Sequence, residues 1–270
     1  MSTTIFTYDG KVLVNSVNNK WLKRAEAPVD PYNPLGLPQG VYRFEVPKGW
    51  SPSGYDSSSV QFTQVSSTPN VWDCKILNPS GASSWEYAAA GVTKILGFNG
   101  EGIGNYTIAM SLFFKGVKST CTYIGDLNLV GCTDVNGWFN GSDNVLTHLG
   151  NVNLPDCTTS NYMFQSTKNI ESIGVLTFSS SLQSAAGMFA NCRWLTTVPN
   201  FETSGLSNVQ EMFVDCYNVE SGSLALYQKM SSQSNPPSNH NYTFWNCGRG
   251  TVTGAAELAQ IPSSWGGTAA

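Results

Sequence analysis

The stretch MFANCRWLTTVPNFETS, from Met188 to Ser204, sets the fold class because its pattern recurs along the chain. Each copy has a bulky pair and, four positions after the first member of the pair, a small residue. The bulky pairs are Phe113-Phe114, Trp138-Phe139, Met163-Phe164, Met188-Phe189, Met212-Phe213 and Thr243-Phe244. The small residues are Val117, Ser142, Thr167, Cys192, Cys216 and Cys247. A near-constant spacing of about 25 residues indicates a repeat architecture.

A short apolar-x-x-apolar segment follows each bulky pair and reads as a strand. The apolar pairs are Cys121 with Ile124, Leu146 with Leu149, Ile170 with Ile173, and Leu195 with Val198. One such unit cannot bury its apolar side alone, whereas stacked units share a continuous core with like residues in columns. We therefore predict that the bulky pairs lie in short helices or turns. We also predict one interior column formed by Phe139, Phe164, Phe189 and Phe213.

The stretch from Met188 to Ser204 resembles the BspA-like leucine-rich repeats, which share a Met-Phe-x-x-Cys-x-x-Leu-x-x-Val-Pro core. The resemblance covers residues 92–250, although the copies at Phe113 and Trp138 lack both the Met and the Cys. It implies a leucine-rich-repeat-like solenoid, with a parallel sheet on one face and short helices or turns on the other. Such repeats occur in bacterial surface proteins, mycoplasma lipoproteins and gut bacteriophage proteins.

The segments outside the repeats predict a small β-rich N-terminal module and two ends that close the solenoid. We predict that the chain is divided into five segments. They are residues 1–24, a hairpin and anchor; 25–40, a Pro-rich linker; 41–91, a small β module capping the solenoid; 92–250, the solenoid; and 251–270, a C-terminal cap. Strands are predicted around Phe6, Val12, Phe44, Phe62 and Val71. Short helices are predicted at Leu224–Met230 and near Leu258, and Trp265 closes the far end.

Charge and composition exclude several classes of partner. Charged residues make up 12% of the chain and the net charge is −4, without a basic stripe, so we expect no nucleic-acid partner. No apolar window of about 18 residues occurs, so we expect no membrane insertion. The first residues, Met1 to Phe6, lack a signal-peptide pattern, which predicts that the chain is not exported by the usual route.

The seven cysteines are odd in number and form no CxxC motif, so neither a disulfide framework nor a zinc site is indicated. Their regular spacing favours small buried hydrophobes, and we expect no metal and no cofactor. His240 and Cys247 do not meet the requirements of a nucleophile pair, because no third group orients the base. We predict no catalytic residues and no enzymatic activity.

The two middle residues of each apolar-x-x-apolar segment should include those that face outward from the sheet. The candidate ligand-binding residues on this face are Tyr123, Thr147, His148, Glu171, Thr196 and Thr197, with Thr122 and Ser172 beside them. Laddered across strands about 4.8 Å apart, they would form a polar strip able to hold a glycan or a protein. The alternative interpretation is an ordinary solvated sheet, with His148 a solvated strand residue. Trp138 is predicted to be core, and Trp194 to be exposed.

The chain as a whole is similar to virion proteins of gut phages. The similarity rests on the Pro-rich connector, Asn33-Pro34-Leu35, Val71-Trp72-Asp73, the repeats and the tail taken together. This resemblance implies a non-enzymatic bacteriophage virion surface protein, such as a tail, fibre or head-decoration component. Its N-terminal segment would contact other virion proteins, and its repeats would contact a host surface protein or glycan. A second copy of the chain is a further expected partner, in a homo-oligomer. Two alternatives remain. One is a cellular adhesin or protein-interaction scaffold at the cell surface, and the other is a glycan depolymerase, which would need clustered carboxylates.

Overall fold

The computed structural model describes residues 5–8, 11–14, 30, 33–53, 57–78, 91–102, 117, 119–141 and 145–269. The predictions for Phe113, Phe114 and Ser142 lie outside these residues. The described chain is mostly β-sheet with few helices. The strands are β1 (Ile5–Tyr8), β2 (Lys11–Val14), β3 (Val41–Glu45), β4 (Val60–Gln64), β5 (Val71–Ile76), β6 (Lys94–Asn99), β7 (Tyr123–Asn128), β8 (His148–Leu149), β9 (Val152–Leu154), β10 (Ser172–Ile173) and β11 (Leu176–Phe178). The helices are α1 (Ser223–Ser231), α2 (Val252–Leu258) and a 3-10 turn at Ser263–Trp265.

The strands form a small hairpin and one large, open, mixed sheet. β1 and β2 pair antiparallel, which confirms the predicted hairpin. The larger sheet has nine strands, in the order β10-β8-β7-β6-β3-β5-β4, with β9 beside β7 and β11 beside β9. None of the helices in the described part of the chain is long and apolar enough to cross a membrane.

The antiparallel end of this sheet contains β3, β4 and β5, at the positions predicted for strands. β3 lies between β5 and β6 and pairs antiparallel with both. Side chains alternate along β3, since Tyr42 and Phe44 are buried whereas Arg43 is half-exposed. The Arg43 guanidinium donates two hydrogen bonds to the Asp73 carboxylate, at 2.7 and 2.9 Å, across the β3–β5 pair. The module is therefore continuous with the parallel strands through β6.

The parallel end contains successive apolar-x-x-apolar segments, spaced 29 residues apart at the first step and 25 and 24 residues apart at the next two. Ile95 of β6 pairs with Ile124 of β7, Ile124 with Leu149 of β8, and Leu149 with Ile173 of β10. Because the pairing is parallel and in register, equivalent side chains lie side by side on the same face. Ile95, Ile124 and Leu149 are buried, so this face forms the core side of the sheet.

The bulky pairs lie in turns on the other side of that core, and their phenylalanines form the predicted column. Neighbouring rings from Phe139 through Phe164, Phe189 and Phe213 to Phe244 have centroids 5.2, 5.2, 5.1 and 5.9 Å apart, with interplanar angles of at most 10°. The backbone follows the same spacing, since the Phe164 N–H donates to the Met188 carbonyl and the Phe189 N–H to the Met212 carbonyl. The expectation of a single interior column is confirmed.

Each turn explains two features of its sequence. In three copies the small residue after the bulky pair donates a hydrogen bond to a phenylalanine carbonyl of the preceding copy. Thr167 donates to Phe139 at 2.6 Å, Cys192 to Phe164 at 3.1 Å and Cys216 to Phe189 at 3.0 Å. A thiol or hydroxyl of this size satisfies a carbonyl that would otherwise be buried without a partner. The residue before it adopts a left-handed backbone, with φ of 62° at Asn191, which Asn and Asp tolerate better than bulkier residues.

A single buried cluster extends from Tyr42 to Trp265 through all of the described copies. The predicted helices lie towards its C-terminal end, with α1 and α2 in contact. The Glu257 carboxylate of α2 accepts hydrogen bonds from the Ser223 hydroxyl and the Leu224 N–H at the start of α1. Trp265 is buried and stacks on His240 with ring centroids 4.2 Å apart.

Candidate ligand-binding face

The outward side of the parallel strands carries a row of aligned side chains from three successive copies. Tyr123, His148 and Ser172 are neighbours in the strand register. The Tyr123 and His148 rings stack with centroids 4.7 Å apart and an angle of 10°. His148 Nδ1 lies 2.8 Å from the Ser172 hydroxyl oxygen. The predicted surface residues Tyr123 and His148 are thus brought together as one half-exposed stacked pair, which we call the Tyr123–His148 platform.

A backbone ladder runs below this row, with one hydrogen bond from each copy to the one before it. The amide donors and their carbonyl acceptors are Thr122 to Thr93, Thr147 to Thr122, Glu171 to Thr147, and Glu220 to Thr196. The step between Glu171 and Thr196 is missing from this series. Throughout the fully described ranges 171–175 and 195–200, no hydrogen bond joins one segment to the other.

Pro199 accounts for part of this interruption. It stands at the repeat position that holds Gly150 and Gly174 in the two copies before it. The N–H groups of those glycines donate to the Ile124 and Leu149 carbonyls, and proline has no N–H to donate to Ile173. A side chain is also too large there, since a Cβ added to Gly174 would lie 2.6 Å from the Gly150 carbonyl carbon. Proline therefore fails both requirements of the position.

Val175 removes a second link at the same step. In earlier copies a side-chain oxygen at this position accepts the N–H of the next copy, as Asp126 does for Asn151 at 2.6 Å and Asn151 does for Val175 at 2.9 Å. Valine has no oxygen to accept from Asn200, and its side chain is 59% exposed. The ladder thus loses a donor and an acceptor within one step.

The interruption opens a groove of about 800 Å³ between residues 171–175 and residues 195–200, which we call the front groove. Glu171, Thr196 and Thr197 line it, so half of the predicted residues lie on its walls. Thr147 lies outside the groove, where its hydroxyl donates to the Thr122 carbonyl at 3.0 Å. The polar strip is interrupted at this step, because Pro199 and Val175 cannot continue the ladder.

Sequence reasoning did not identify Pro199 and Val175 as functionally relevant. The signal was present, because aligning the copies puts Pro199 below Gly150 and Gly174, and Val175 below Asp126 and Asn151. The alignment becomes informative only when two facts about the glycine are known. Its N–H donates to the neighbouring copy, and the backbone of that copy lies where a Cβ would be. That information comes from the register and not from the pattern of one copy.

The cysteines are all buried, as predicted for small core residues. Burial raises the pKa of the Cys121 thiol to about 11 and that of Cys157 to about 12. Cys247 is fully buried, and His240 Nδ1 lies 3.1 Å from the Ser264 carbonyl oxygen instead. Among the described residues, no group of three or more His, Cys, Asp or Glu side chains is placed to hold a metal ion.

We expect the thiols of the folded protein to resist alkylation. Because the folded-state pKa values exceed the ordinary value of 9.0, protonated thiols are favoured in the fold, and the free energy of unfolding falls as the pH rises above about 9. Iodoacetamide at pH 8 should modify the native chain at least about 100-fold more slowly than the chain in guanidinium, since the thiolate is the reactive form. Mass spectrometry measures both rates. Rapid native labelling of Cys121 or Cys157 would contradict this assignment.

Comparisons with known proteins give a match to part of the chain. No curated protein and no solved structure matches the chain. Residues 108–225, which include the Phe column as far as Phe213 and the front groove, are similar to a family described as "Mycoplasma protein of unknown function, DUF285".

Proposed function

We propose that this chain is a non-enzymatic surface protein of a bacteriophage virion, a tail, fibre or head-decoration component. In this proposal residues 92–250 form a leucine-rich-repeat-like solenoid that binds a host surface protein or glycan. The N-terminal segment attaches the chain to other virion proteins. The virion location is supported by the resemblance of the repeats and connector to gut phage proteins, and the solenoid by the parallel register and the aligned Phe rings.

The front groove is the observation that carries the binding role. Backbone hydrogen bonds stabilise a fold by about 0.5–1.5 kcal/mol each, and the interrupted step forgoes them while its neighbours make them. Local rules of a fold are most often broken where function requires it. Here the break exposes polar residues, Glu171, Thr196 and Thr197, next to the Tyr123–His148 platform. A ligand that supplies hydrogen bonds to these groups would offset the loss.

The virion location is tested on purified particles of the phage that encodes the chain. Mass spectrometry should detect the chain in particles freed of cell debris, and cryo-EM should place the repeats outermost. If the chain is absent from particles that remain infectious, the virion assignment fails.

The binding role is tested by closing the groove. The double variant Val175→Asn, Pro199→Gly restores the residue types of the preceding copies, so the ladder should close and binding of the labelled full chain to host cells should be lost. Its free energy of unfolding should stay within about 1 kcal/mol of the parent, because the new hydrogen bonds are offset by the flexibility of glycine in the unfolded chain. Flow cytometry and denaturant unfolding measure the two quantities.

Val252→Asn is the matched control, since Val252 is 91% exposed in α2 and lies outside the groove. Its cell binding should equal that of the parent. Undiminished binding by the double variant would show that the groove does not hold the ligand.

A second candidate is a cellular adhesin or interaction scaffold of the BspA-like type, located at the cell surface. The similarity of residues 108–225 to a Mycoplasma family favours it, since that family is named for a cellular source. Labelling of intact cells of the source organism with a membrane-impermeant reagent separates the two candidates. Surface labelling in cells that carry no phage supports the adhesin.

A further inference from the structure

Trp194 is an exposed aromatic residue that the repeat does not require. Its side chain is 58% exposed, and the equivalent positions in neighbouring copies hold Asn169 and Asn218. An exposed indole leaves a large apolar surface in water, and such residues are enriched in binding sites. Trp194 therefore differs from Trp138 and Trp265, which are buried in the core.

Trp194 forms one wall of a small cavity beside the front groove. The cavity has a volume of about 260 Å³, and the other described residues on its walls are Thr147, Asn169 and Glu171. That volume could hold roughly nine water molecules. It is therefore large enough for one sugar ring but too small to receive a protein partner. The exposed Glu171 carboxylate makes no hydrogen bond or ion pair with any residue that the structure describes.

We propose that this cavity binds one neutral hexose unit of a glycan, with Trp194 as the stacking platform. An indole face fits the C–H surface of a pyranose ring, while a carboxylate and an amide bind the hydroxyl groups at its edge. Among the described residues that form its walls, the cavity has one carboxylate and no cation, which disfavours a uronic acid or a phosphate. This inference rests on the proposed binding role and names its ligand class.

The position of Glu171 extends the site from one sugar to a chain. Glu171 lines both the Trp194 cavity and the front groove, so the two spaces meet at its side chain. A glycan anchored by one unit on Trp194 continues into the groove, where Thr196 and Thr197 offer hydroxyl groups. The ligand is therefore an oligosaccharide of several neutral units.

The test uses the full chain on an array of neutral hexose oligosaccharides and their uronic-acid-containing counterparts. The parent should bind neutral members, and titration calorimetry with the best of them should show Trp194→Ala binding at least about 30-fold more weakly. Trp194→Phe should restore part of the affinity. Trp245→Ala is the matched control, because Trp245 is 47% exposed but lies outside both spaces, and it should bind like the parent.

Three outcomes of the glycan-binding measurements overturn the inference: no neutral glycan is bound, acidic glycans are bound more tightly, or Trp194→Ala and Trp245→Ala behave alike. Host-cell binding measured in parallel separates this failure from that of the proposed function. If parent and Trp194→Ala bind cells equally, the cavity assignment fails while the binding role stands. If the parent binds no cells, the host-binding role fails, and the glycan array still tests whether the cavity binds a neutral hexose.

Discussion

Phe189→Ala is expected to lower the free energy of unfolding by about 3–5 kcal/mol. The Phe189 side chain is fully buried and lies between Phe164 and Phe213, with ring centroids 5.2 and 5.1 Å away. Truncation removes both stacking contacts and leaves a cavity that the turns cannot collapse into, because hydrogen bonds hold each turn to the next. Urea unfolding followed by circular dichroism measures the loss.

Two further variants give this prediction its controls. Phe189→Leu keeps much of the volume but not the ring stacking, so it should cost clearly less than the alanine variant. Trp194→Ala removes a larger but exposed side chain and should change stability by less than about 0.5 kcal/mol. If Phe189→Ala costs no more than Trp194→Ala, the Phe column does not hold the copies together.

Much of the fold could be predicted from the spacing of residues alone. The Phe column, the buried cysteines and the helices near Leu226 and Leu258 follow from the need to stack like residues and close the ends. One prediction was incomplete, since the cysteines are more than small hydrophobes. Cys192 and Cys216 also donate hydrogen bonds to phenylalanine carbonyls of the copy before. A pattern of residue types predicts what is buried but not which backbone group needs a donor.

The candidate site could be predicted only in part, because it depends on a failure of the repeat. The exposure of Thr196 and Thr197 follows from the apolar-x-x-apolar pattern, and the stacking of His148 on Tyr123 follows once the register is known. The groove does not follow, because it results from the absence of one N–H at Pro199 and of one oxygen at Val175. The missing N–H and the missing oxygen have an effect only because the neighbouring copy would bond to them. The sequence of a single copy does not show which groups its neighbour uses.

Gly150→Ala is expected to destabilise the folded chain by about 3 kcal/mol. A Cβ at this position would lie 2.7 Å from the Gly125 carbonyl carbon and 2.9 Å from the Asp126 nitrogen. These are backbone atoms that cannot rotate away, so the strands must separate. Separation breaks the bond from the Gly150 N–H to the Ile124 carbonyl, which adds the loss of a hydrogen bond to the cost of overpacking. Denaturant unfolding measures the change.

Gly97→Ala is the control, because Gly97 also lies in a parallel strand but its added Cβ would first meet the Leu35 side chain at 3.2 Å. A flexible side chain can yield, so this variant should lose less than about 1 kcal/mol. Equal losses for the two variants would show that the backbones do not approach closely at Gly150. Pro199 occupies the same repeat position two copies later. The free energy of unfolding lost in Gly150→Ala therefore also measures the cost of placing a side chain at this position in an intact ladder. A large loss explains why the chain opens a groove at Pro199 and does not close over it.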